Sequence, residues 1–224
     1  MYRTFLIVLV IAGSAELLLA QGPPPPPARQ PSVTAENTTP KDFFGELAGN
    51  VYKNTFFSFT VTVPENYTIL NSAEIGVYAQ ATVDLMKSDS ARNNRVFDDA
   101  IRNQAALLMV AQKPPGSEAN AIVELQVRKQ ASGVTANTVL AESVKMMTGS
   151  NKAVLTKNLA GTKFGGRSFV GAEFEVEMSG QKLTQQFFIT MQRGYAFLIG
   201  LTFAPGADRK AFDEMLSGMK LLTK

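Results

Sequence analysis

The side chains available for chemistry in this 224-residue chain are carboxylates, hydroxyls, lysines, arginines and tyrosines, because it contains no cysteine and no histidine. Without cysteine there is no thiolate nucleophile, disulfide or thiolate-bound metal. Without histidine the commonest general base and the commonest metal ligand are missing. A hydrolase would depend on two carboxylates or on a Ser–Lys pair, and no Gly-x-Ser-x-Gly motif is present. We therefore expect no catalytic residues, no cofactor and no resident metal.

Three glutamates, Glu173, Glu175 and Glu177, alternate with apolar residues in the segment 170–178. On a strand, residues two apart are separated by about 6.6 Å. Calcium ligands must all approach one ion to about 2.3–2.6 Å, so the row is a poor chelator. The pattern favours the solvated face of an edge hairpin over a calcium site or a contact for a basic partner.

Candidate contact residues for a protein partner lie in predicted loops and at the rims of the fold. Arg92 and Arg95 form a small basic patch with Lys87, and Arg167 follows a Gly–Gly pair that lacks phosphate-loop spacing. The patch is weak beside the charge clustering of nucleic-acid-binding proteins, and the net charge is only +3. The predicted contact residues are Tyr52, Tyr67, Arg92, Arg95, Lys113 and Arg167.

The first twenty residues have the order of a secretory signal peptide. Arg3 supplies a positive start, residues 5–12 form an apolar run, and Ala20 is the favoured cleavage position. The alternative is an uncleaved anchor, but the apolar stretch contains Glu16 and is shorter than the roughly 20 residues of a spanning helix. Residues 21–41 begin with five prolines at 23–27 and are predicted to be an extended linker.

From residue 42 onward the pattern predicts a single domain with both strands and helices. Strands are indicated by alternating apolar residues, and helices by apolar residues three and four positions apart. The predicted strands span 57–63, 107–112 and 122–129, and the predicted helices span 72–86, 91–104, 135–148 and about 208–218.

The C-terminal third predicts a meander of three strands. Ser179-Gly180 is a two-residue hairpin turn, so that facing residues have numbers that sum to 359. This register places Glu177 opposite Lys182 and apolar residues opposite one another on the other face. A second turn at Arg193-Gly194 gives a second register, with a sum of 387.

The segment 195–203 is apolar on both faces, which predicts a central strand that is covered on both sides. The helix that follows Pro205-Gly206 supplies one cover, and residues 220–222 are predicted to add a short edge strand. The predicted fold class is α+β, a mostly antiparallel sheet with helices packed on both faces as an α/β/α sandwich.

Three groups of residues, in this order, carry a resemblance to a known family. They are the lead-in Val51-Tyr-Lys-Asn54 into Phe56-Phe-Ser-Phe-Thr-Val-Thr-Val-Pro-Glu65, a helical middle, and a meander containing Phe169-Val-Gly-Ala-Glu173, Gln185-Gln-Phe-Phe-Ile-Thr-Met191 and Gly194-Tyr-Ala-Phe-Leu198. Over residues 43–222 the chain resembles the PsbP-like family, typified by the extrinsic oxygen-evolving subunit of photosystem II.

The resemblance implies an antiparallel sheet sandwiched by helices, a fold shared with a nuclear-import factor that binds a small GTPase. Two departures limit what else it implies. Tyr67 stands where family members often have tryptophan, and no histidine matches the metal-binding histidines of plant members. Neither a metal role nor a photosynthetic role follows from the resemblance.

We therefore expect an exported, non-enzymatic binding or assembly domain with a protein partner in the cell envelope and no nucleic acid. The location is periplasmic or extracellular, and the lack of cysteine favours a bacterial envelope. The alternatives are a hydrolase that uses carboxylates or a Ser–Lys pair, and a carrier of a small hydrophobic ligand. The oligomeric state is left open.

Overall fold

The computed structural model describes residues 42–70, Ile75, 104–113, 120–149, 153–178 and 181–222. The predicted signal peptide and linker lie outside these residues. So do the predicted helices at 72–86 and 91–104, except for Ile75, which is helical, and Gln104, which begins a strand.

In the described residues, twelve strands and two helices follow one another. The strands are β1 (Glu46–Ala48), β2 (Val51–Asn54), β3 (Phe59–Thr62), β4 (Thr68–Ile69), β5 (Gln104–Ala111), β6 (Ala121–Lys129), β7 (Ala153–Asn158), β8 (Thr162–Phe164), β9 (Arg167–Met178), β10 (Gln181–Gln192), β11 (Tyr195–Phe203) and β12 (Lys220–Leu221). Helix α1 spans Ala136–Gly149, between β6 and β7, and helix α2 spans Lys210–Ser217, between β11 and β12.

The strands form two antiparallel sheets. The large sheet has the order β4-β5-β6-β11-β10-β9-β7, with β8 paired to β9, and the small sheet has the order β1-β2-β3-β12. The strands predicted at 57–63, 107–112 and 122–129 are confirmed as β3, β5 and β6, and the predicted edge strand near residue 220 is confirmed as β12.

Both predicted hairpin registers are confirmed. Lys182 pairs with Glu177, and the same register continues to the pair Ile189 and Val170. The second hairpin pairs Gln192 with Tyr195 and continues in one register along β10 and β11. The register is fixed locally because a two-residue turn allows only one pairing of its flanking strands.

Helix α1 begins and ends where its sequence predicts. The hydroxyl of Thr135 accepts a hydrogen bond from the backbone N–H of Thr138 at 3.2 Å, which is the pattern of a helix N-cap. The helix ends at Gly149. Its apolar side packs Val139 and Met147 against the face of the large sheet that carries Ile189 and Leu198.

The opposite face of the large sheet is covered by the small sheet, with α2 contributing to the same apolar cluster. Phe59 of β3, Phe197 of β11 and Phe212 of α2 all belong to this cluster. The predicted α+β class with a mostly antiparallel sheet is confirmed. The finer prediction of helices on both faces is not confirmed, because the second layer is mainly a sheet made of strands two to four residues long.

Strand β11 is central and buried on both faces, as its sequence predicts. It lies between β6 and β10. Leu198 packs in the α1 cluster, whereas Phe197 and Ile199 pack in the small-sheet cluster, and all three are at most 1% exposed. The apolar residues of this strand therefore hold the two layers together.

Gly171 marks a close approach between β9 and β10 and gives a direct test of this packing. A Cβ atom there would overlap the carbonyl oxygen of Phe187 and lie 2.8 Å from Cδ1 of Phe188. We expect Gly171→Ala to lower the free energy of unfolding by about 1–3 kcal/mol, the usual cost of overpacking. Urea denaturation measures the change, and Ser168→Ala at an exposed position of β9 is the control. Equal stability of the two variants would contradict the close approach of these strands.

Candidate functional site

The four predicted contact residues that the structure describes do not come together, because Tyr67 and Lys113 lie at one end of the large sheet, Arg167 lies at the other and Tyr52 belongs to the small sheet. Tyr67 and Lys113 lie at the end where β4 meets β5. The Tyr67 ring packs edge-on against Phe212 at 5.0 Å between centroids, and the Lys113 N–H donates to the side-chain oxygen of Asn120 at 3.0 Å. Burial raises the pKa of Tyr67, and its hydrogen bond with Gln112 opposes that rise. Arg92 and Arg95 lie outside the described residues.

Tyr52 is a core residue and presents no contact surface. Its side chain is only 3% exposed, and its hydroxyl donates to the carbonyl oxygen of Phe44 at 2.5 Å. Burial raises its pKa. Gly45 (φ +69°) passes directly over this hydroxyl, where a Cβ atom would lie 2.7 Å from it. The i, i+2 spacing of Tyr52 and Asn54 beside a buried strand is the sequence signal for this inward orientation.

Arg167 lies at the other end of the sheet, where it begins β9. Its Nη1 donates to the side-chain oxygen of Gln192, whose amide nitrogen donates to the carbonyl oxygen of Phe57. Burial lowers the pKa of Arg167. Through Gln192, the guanidinium thus connects the end of the large sheet to the loop at 55–58, which joins β2 and β3 of the small sheet.

Arg193 extends this end of the sheet from a tight turn. Arg193 and Gly194 both have positive φ, at 52° and 78°, as the two central residues of a type I′ hairpin turn require. The Arg193 guanidinium lies 5.2 Å from the centroid of the Phe56 ring, within cation–π distance. The Phe56 ring in turn packs edge-on against Tyr195 at 6.1 Å.

The aromatic and basic residues at the Arg167 end of the large sheet form a surface that we call the basic–aromatic face. Lys129 pairs with Tyr195 across the sheet and is exposed, and the Phe44 side chain is 54% exposed. The nearby Asp42 carboxylate accepts a hydrogen bond from Thr55 at 3.3 Å. The face consists of Phe44, Phe56, Lys129, Arg167, Arg193 and Tyr195.

Sequence reasoning finds only Arg167 of this face. The other signals in the sequence are the two adjacent phenylalanine pairs at 43–44 and 56–57 and an arginine in the turn at 193–194. By themselves they indicate core and turn residues. What the sequence does not indicate is that the loop at 55–58 folds back onto the turn at 193–194.

Asn54 fixes the loops beneath the basic–aromatic face. Its side chain is fully buried, and its amide nitrogen donates to the carbonyl oxygen of Phe43 at 2.9 Å. Its amide oxygen accepts from the Phe57 N–H at 2.7 Å. One side chain therefore satisfies a backbone acceptor and a backbone donor from two different loops, and both loops carry phenylalanines of the face.

The acidic row on β9 differs from its predicted role. Strand β9 pairs with β7, so the prediction of an edge hairpin is wrong. Glu175 and Glu177 are exposed, but Glu173 is buried. Lys182 lies opposite Glu177 in the register, yet it forms its ion pair with Glu175 at 2.8 Å.

Glu173 is tied into the fold by hydrogen bonds and charge. It accepts from the Gln186 amide at 2.5 Å and from the Thr156 hydroxyl at 3.1 Å, and Lys157 lies at 3.3 Å. Burial by itself raises the pKa of Glu173, but these three partners outweigh it, so that the pKa lies below its ordinary value. Glu173 is therefore a structural carboxylate.

Neither a metal site nor a membrane span is found in the described residues. No group of three or more Asp or Glu side chains in this part of the chain is arranged to hold a metal ion. None of the helices described for the chain is both long enough and apolar enough to cross a bilayer.

No family model and no curated protein matches the chain. Similar solved structures include cyanobacterial PsbP from Synechocystis, with 14% identity and a TM-score of 0.44, over 79% of this chain and 95% of that one. They also include LpqN of Mycobacterium tuberculosis, described as involved in cell envelope biogenesis, with 11% identity and a TM-score of 0.41, over 74% and 83%. A protein from Bacteroides thetaiotaomicron has 12% identity and a TM-score of 0.39, over 75% and 46%.

These neighbours include a PsbP protein, as the resemblance in the sequence predicts. The chain spans less than half the length of the Bacteroides protein. At such identities and scores the similarity carries nothing about activity, ligand or partner.

Asn54→Ala tests whether one amide holds the loops beneath the basic–aromatic face. The substitution leaves the Phe43 carbonyl oxygen and the Phe57 N–H without this partner, which we expect to cost about 1–3 kcal/mol in the free energy of unfolding. Asn50→Ala is the matched control, because the Asn50 side chain donates one bond, to the Val63 carbonyl at 3.0 Å, and is less buried. The interpretation fails if urea denaturation shows the smaller loss for Asn54→Ala.

The lowered pKa of Glu173 predicts a pH dependence of stability. A carboxyl whose pKa is lower in the folded state stabilises the fold above its ordinary pKa, and this contribution disappears as the pH falls. We expect the stability advantage of the parent over Glu173→Gln to shrink as the pH falls from about 5 to about 3. Denaturant unfolding across this range measures it, with the exposed Glu177→Gln as control. A constant advantage across the range would contradict the lowered pKa.

Proposed function

We propose that the chain is an exported, non-enzymatic binding domain of the cell envelope that contacts an acidic protein partner through its basic–aromatic face. The observation that carries this proposal is the exposed guanidinium of Arg193, held in a rigid turn and stacked on Phe56. Arginine and aromatic side chains are the residues in which binding energy is most often concentrated at protein interfaces.

The charge of the face supports an acidic partner. Lys129, Arg167 and Arg193 contribute three positive charges, and Asp42 contributes one negative charge at its margin. Such a patch accelerates encounter with a surface of opposite charge and disfavours basic partners. The exposed Phe44 ring adds apolar area that the partner would cover.

The N-terminal sequence supports the location. Residues 1–20 have the order of charge, apolar core and small residues that directs export. The proline-rich residues 21–41 would form an extended spacer in front of the binding domain.

A serine and a glutamate, side chains of the types that the alternative hydrolase would need, make hydrogen bonds within the fold that support a non-enzymatic role. Ser143 is buried, and its hydroxyl donates to the carbonyl oxygen of Val139 at 2.7 Å, one helical turn earlier. Glu173 is engaged with Gln186, Thr156 and Lys157. Both groups serve the fold in these positions.

Charge reversal at Arg193 tests the proposed face. We expect Arg193→Glu to abolish capture of the partner from envelope extract of the source cells, because it removes the stacked cation and repels an acidic surface. Lys145→Glu on the exposed side of α1 makes the same change in net charge and is the control, which we expect to capture the partner as the parent does. Capture by the parent should also weaken with added salt.

Three outcomes would contradict the proposal. They are equal capture by Arg193→Glu and the parent, equal loss with Lys145→Glu, and retention of the parent on anionic lipid vesicles with no protein captured. Turnover of ester or glycoside substrates by the purified chain would support the hydrolase alternative instead.

A further inference from the structure

The three cations of the basic–aromatic face lie along one line across the ends of four neighbouring strands. Arg167 begins β9 and is hydrogen-bonded to Gln192 at the end of β10. Gln192 pairs with Tyr195 at the start of β11, and Tyr195 pairs with Lys129 at the end of β6. Because β9, β10, β11 and β6 are neighbours in this order, the line from Arg167 to Lys129 runs at right angles to the strands.

The spacing of the three charges follows from the geometry of the sheet. Neighbouring strands lie about 4.8 Å apart, so the intervals from β9 to β6 place the backbones of Arg167 and Lys129 about 14 Å apart. Arg193 belongs to the turn that joins β10 to β11, which places it near the midpoint, about 7 Å from either end. The face therefore presents three cations at nearly equal intervals.

The turn alone does not explain the central cation, Arg193. Its φ of 52° lies in the left-handed region, which asparagine and glycine adopt at lower cost than arginine. Residues held in such conformations are often found at functional sites. The guanidinium lies 5.2 Å from the centroid of the Phe56 ring, and the residue is exposed, so the ring fixes the cation while its N–H groups remain available to a ligand.

No carboxylate of the described residues forms an ion pair with any of the three cations. The ion pairs in this part of the chain involve other cations, namely Lys157, Lys182, Arg209 and Lys210. Cations that are held near one another without counter-charges repel, and a ligand with carboxylates at the same intervals relieves this repulsion. The charges of the face are thus left for a group from outside the described residues.

An extended peptide offers carboxylates at these intervals. The chain rises about 3.4 Å per residue and every second side chain points to the same side, so side chains two and four positions apart lie about 7 and 14 Å away. We propose that the basic–aromatic face binds an extended acidic segment of its partner, with aspartate or glutamate at three alternate positions that contact Arg167, Arg193 and Lys129. This inference rests on the proposed function and specifies the sequence pattern that the partner presents.

The test is fluorescence anisotropy of two labelled peptides of identical composition, both blocked at their termini, with the purified full chain at low salt. The peptides are Ser-Glu-Ser-Glu-Ser-Glu-Ser and Ser-Ser-Glu-Glu-Glu-Ser-Ser. We expect the alternating peptide to bind about threefold tighter or more, because consecutive glutamates reach only two of the cations and lose one exposed charge pair. Equal affinities would mean that charge alone determines binding and would overturn the proposal, as would no binding of the alternating peptide at millimolar concentration.

Arg193→Asn separates ligand binding from the role of Arg193 in the turn. Asparagine suits a positive φ, so we expect the stability to be unchanged or higher, whereas affinity for the alternating peptide should fall by about threefold or more. Lys145→Gln, at an exposed position of α1, removes the same charge and should bind as the parent does. An Arg193→Asn protein with the affinity of the parent would overturn the proposal.

Lys129→Gln tests the alignment of the peptide with the line of cations. Two further peptides each replace one of the outer glutamates of the alternating peptide by glutamine. We expect the parent to bind both more weakly than the alternating peptide. Lys129→Gln should bind one of the two as tightly as it binds the alternating peptide, because the missing carboxylate has no cation to contact. Weaker binding of both peptides by Lys129→Gln would contradict the alignment.

The failure of this inference is distinguishable from the failure of the proposed function. If capture from envelope extract depends on Arg193 but the alternating and consecutive peptides bind equally, the partner proposal stands and the alternating pattern is wrong. If the alternating peptide is preferred but the extract yields no partner, the pattern describes the face and the proposed envelope role is wrong.

Discussion

The need of strand β11 to bury both of its faces is the constraint on which the rest of the structure depends. Phe197, Leu198 and Ile199 are consecutive large apolar residues, so that no rotation of the strand can bury one face and leave the other in water. Each side chain that is buried contributes about 1.5–3 kcal/mol, which is a substantial part of the stability of a domain. Two layers must therefore meet on this strand, and neither layer has a complete core without it.

The basic–aromatic face is a consequence of how the second layer docks. Phe59 of β3 packs on Phe197 at 5.2 Å, and this contact brings the preceding loop to the end of the large sheet. Phe57 then meets Tyr195 at 5.5 Å, and Asn54 holds the loop in shape. The surface on which Phe56 and Arg193 meet is thus assembled from segments far apart in the chain. A change in the core contact would be expected to disturb the face before it disturbs the large sheet.

This dependence explains how much could be predicted from the sequence. The hairpins of β9, β10 and β11 were predictable because a two-residue turn fixes the register locally, and α1 was predictable from its apolar spacing. Strands β3 and β12 were predicted as well, but β1, β2 and the pairing of the small sheet were not, because strands of two to four residues carry too little alternation to show how they pair. The burial of Tyr52 and Glu173 was missed for a different reason, since each is covered by residues from elsewhere in the chain.

Glu173 shows how the fold accommodates a charged group on a covered part of the sheet. Gln186 supplies a donor for the carboxylate and Lys157 a nearby charge, so that the burial of Glu173 is compensated within the chain. Neutral amides are treated differently, because the side-chain oxygens of Gln126, Gln185 and Gln186 are buried without a hydrogen bond. This order follows from the cost of burial, since an unpartnered buried charge costs far more than an unpartnered amide.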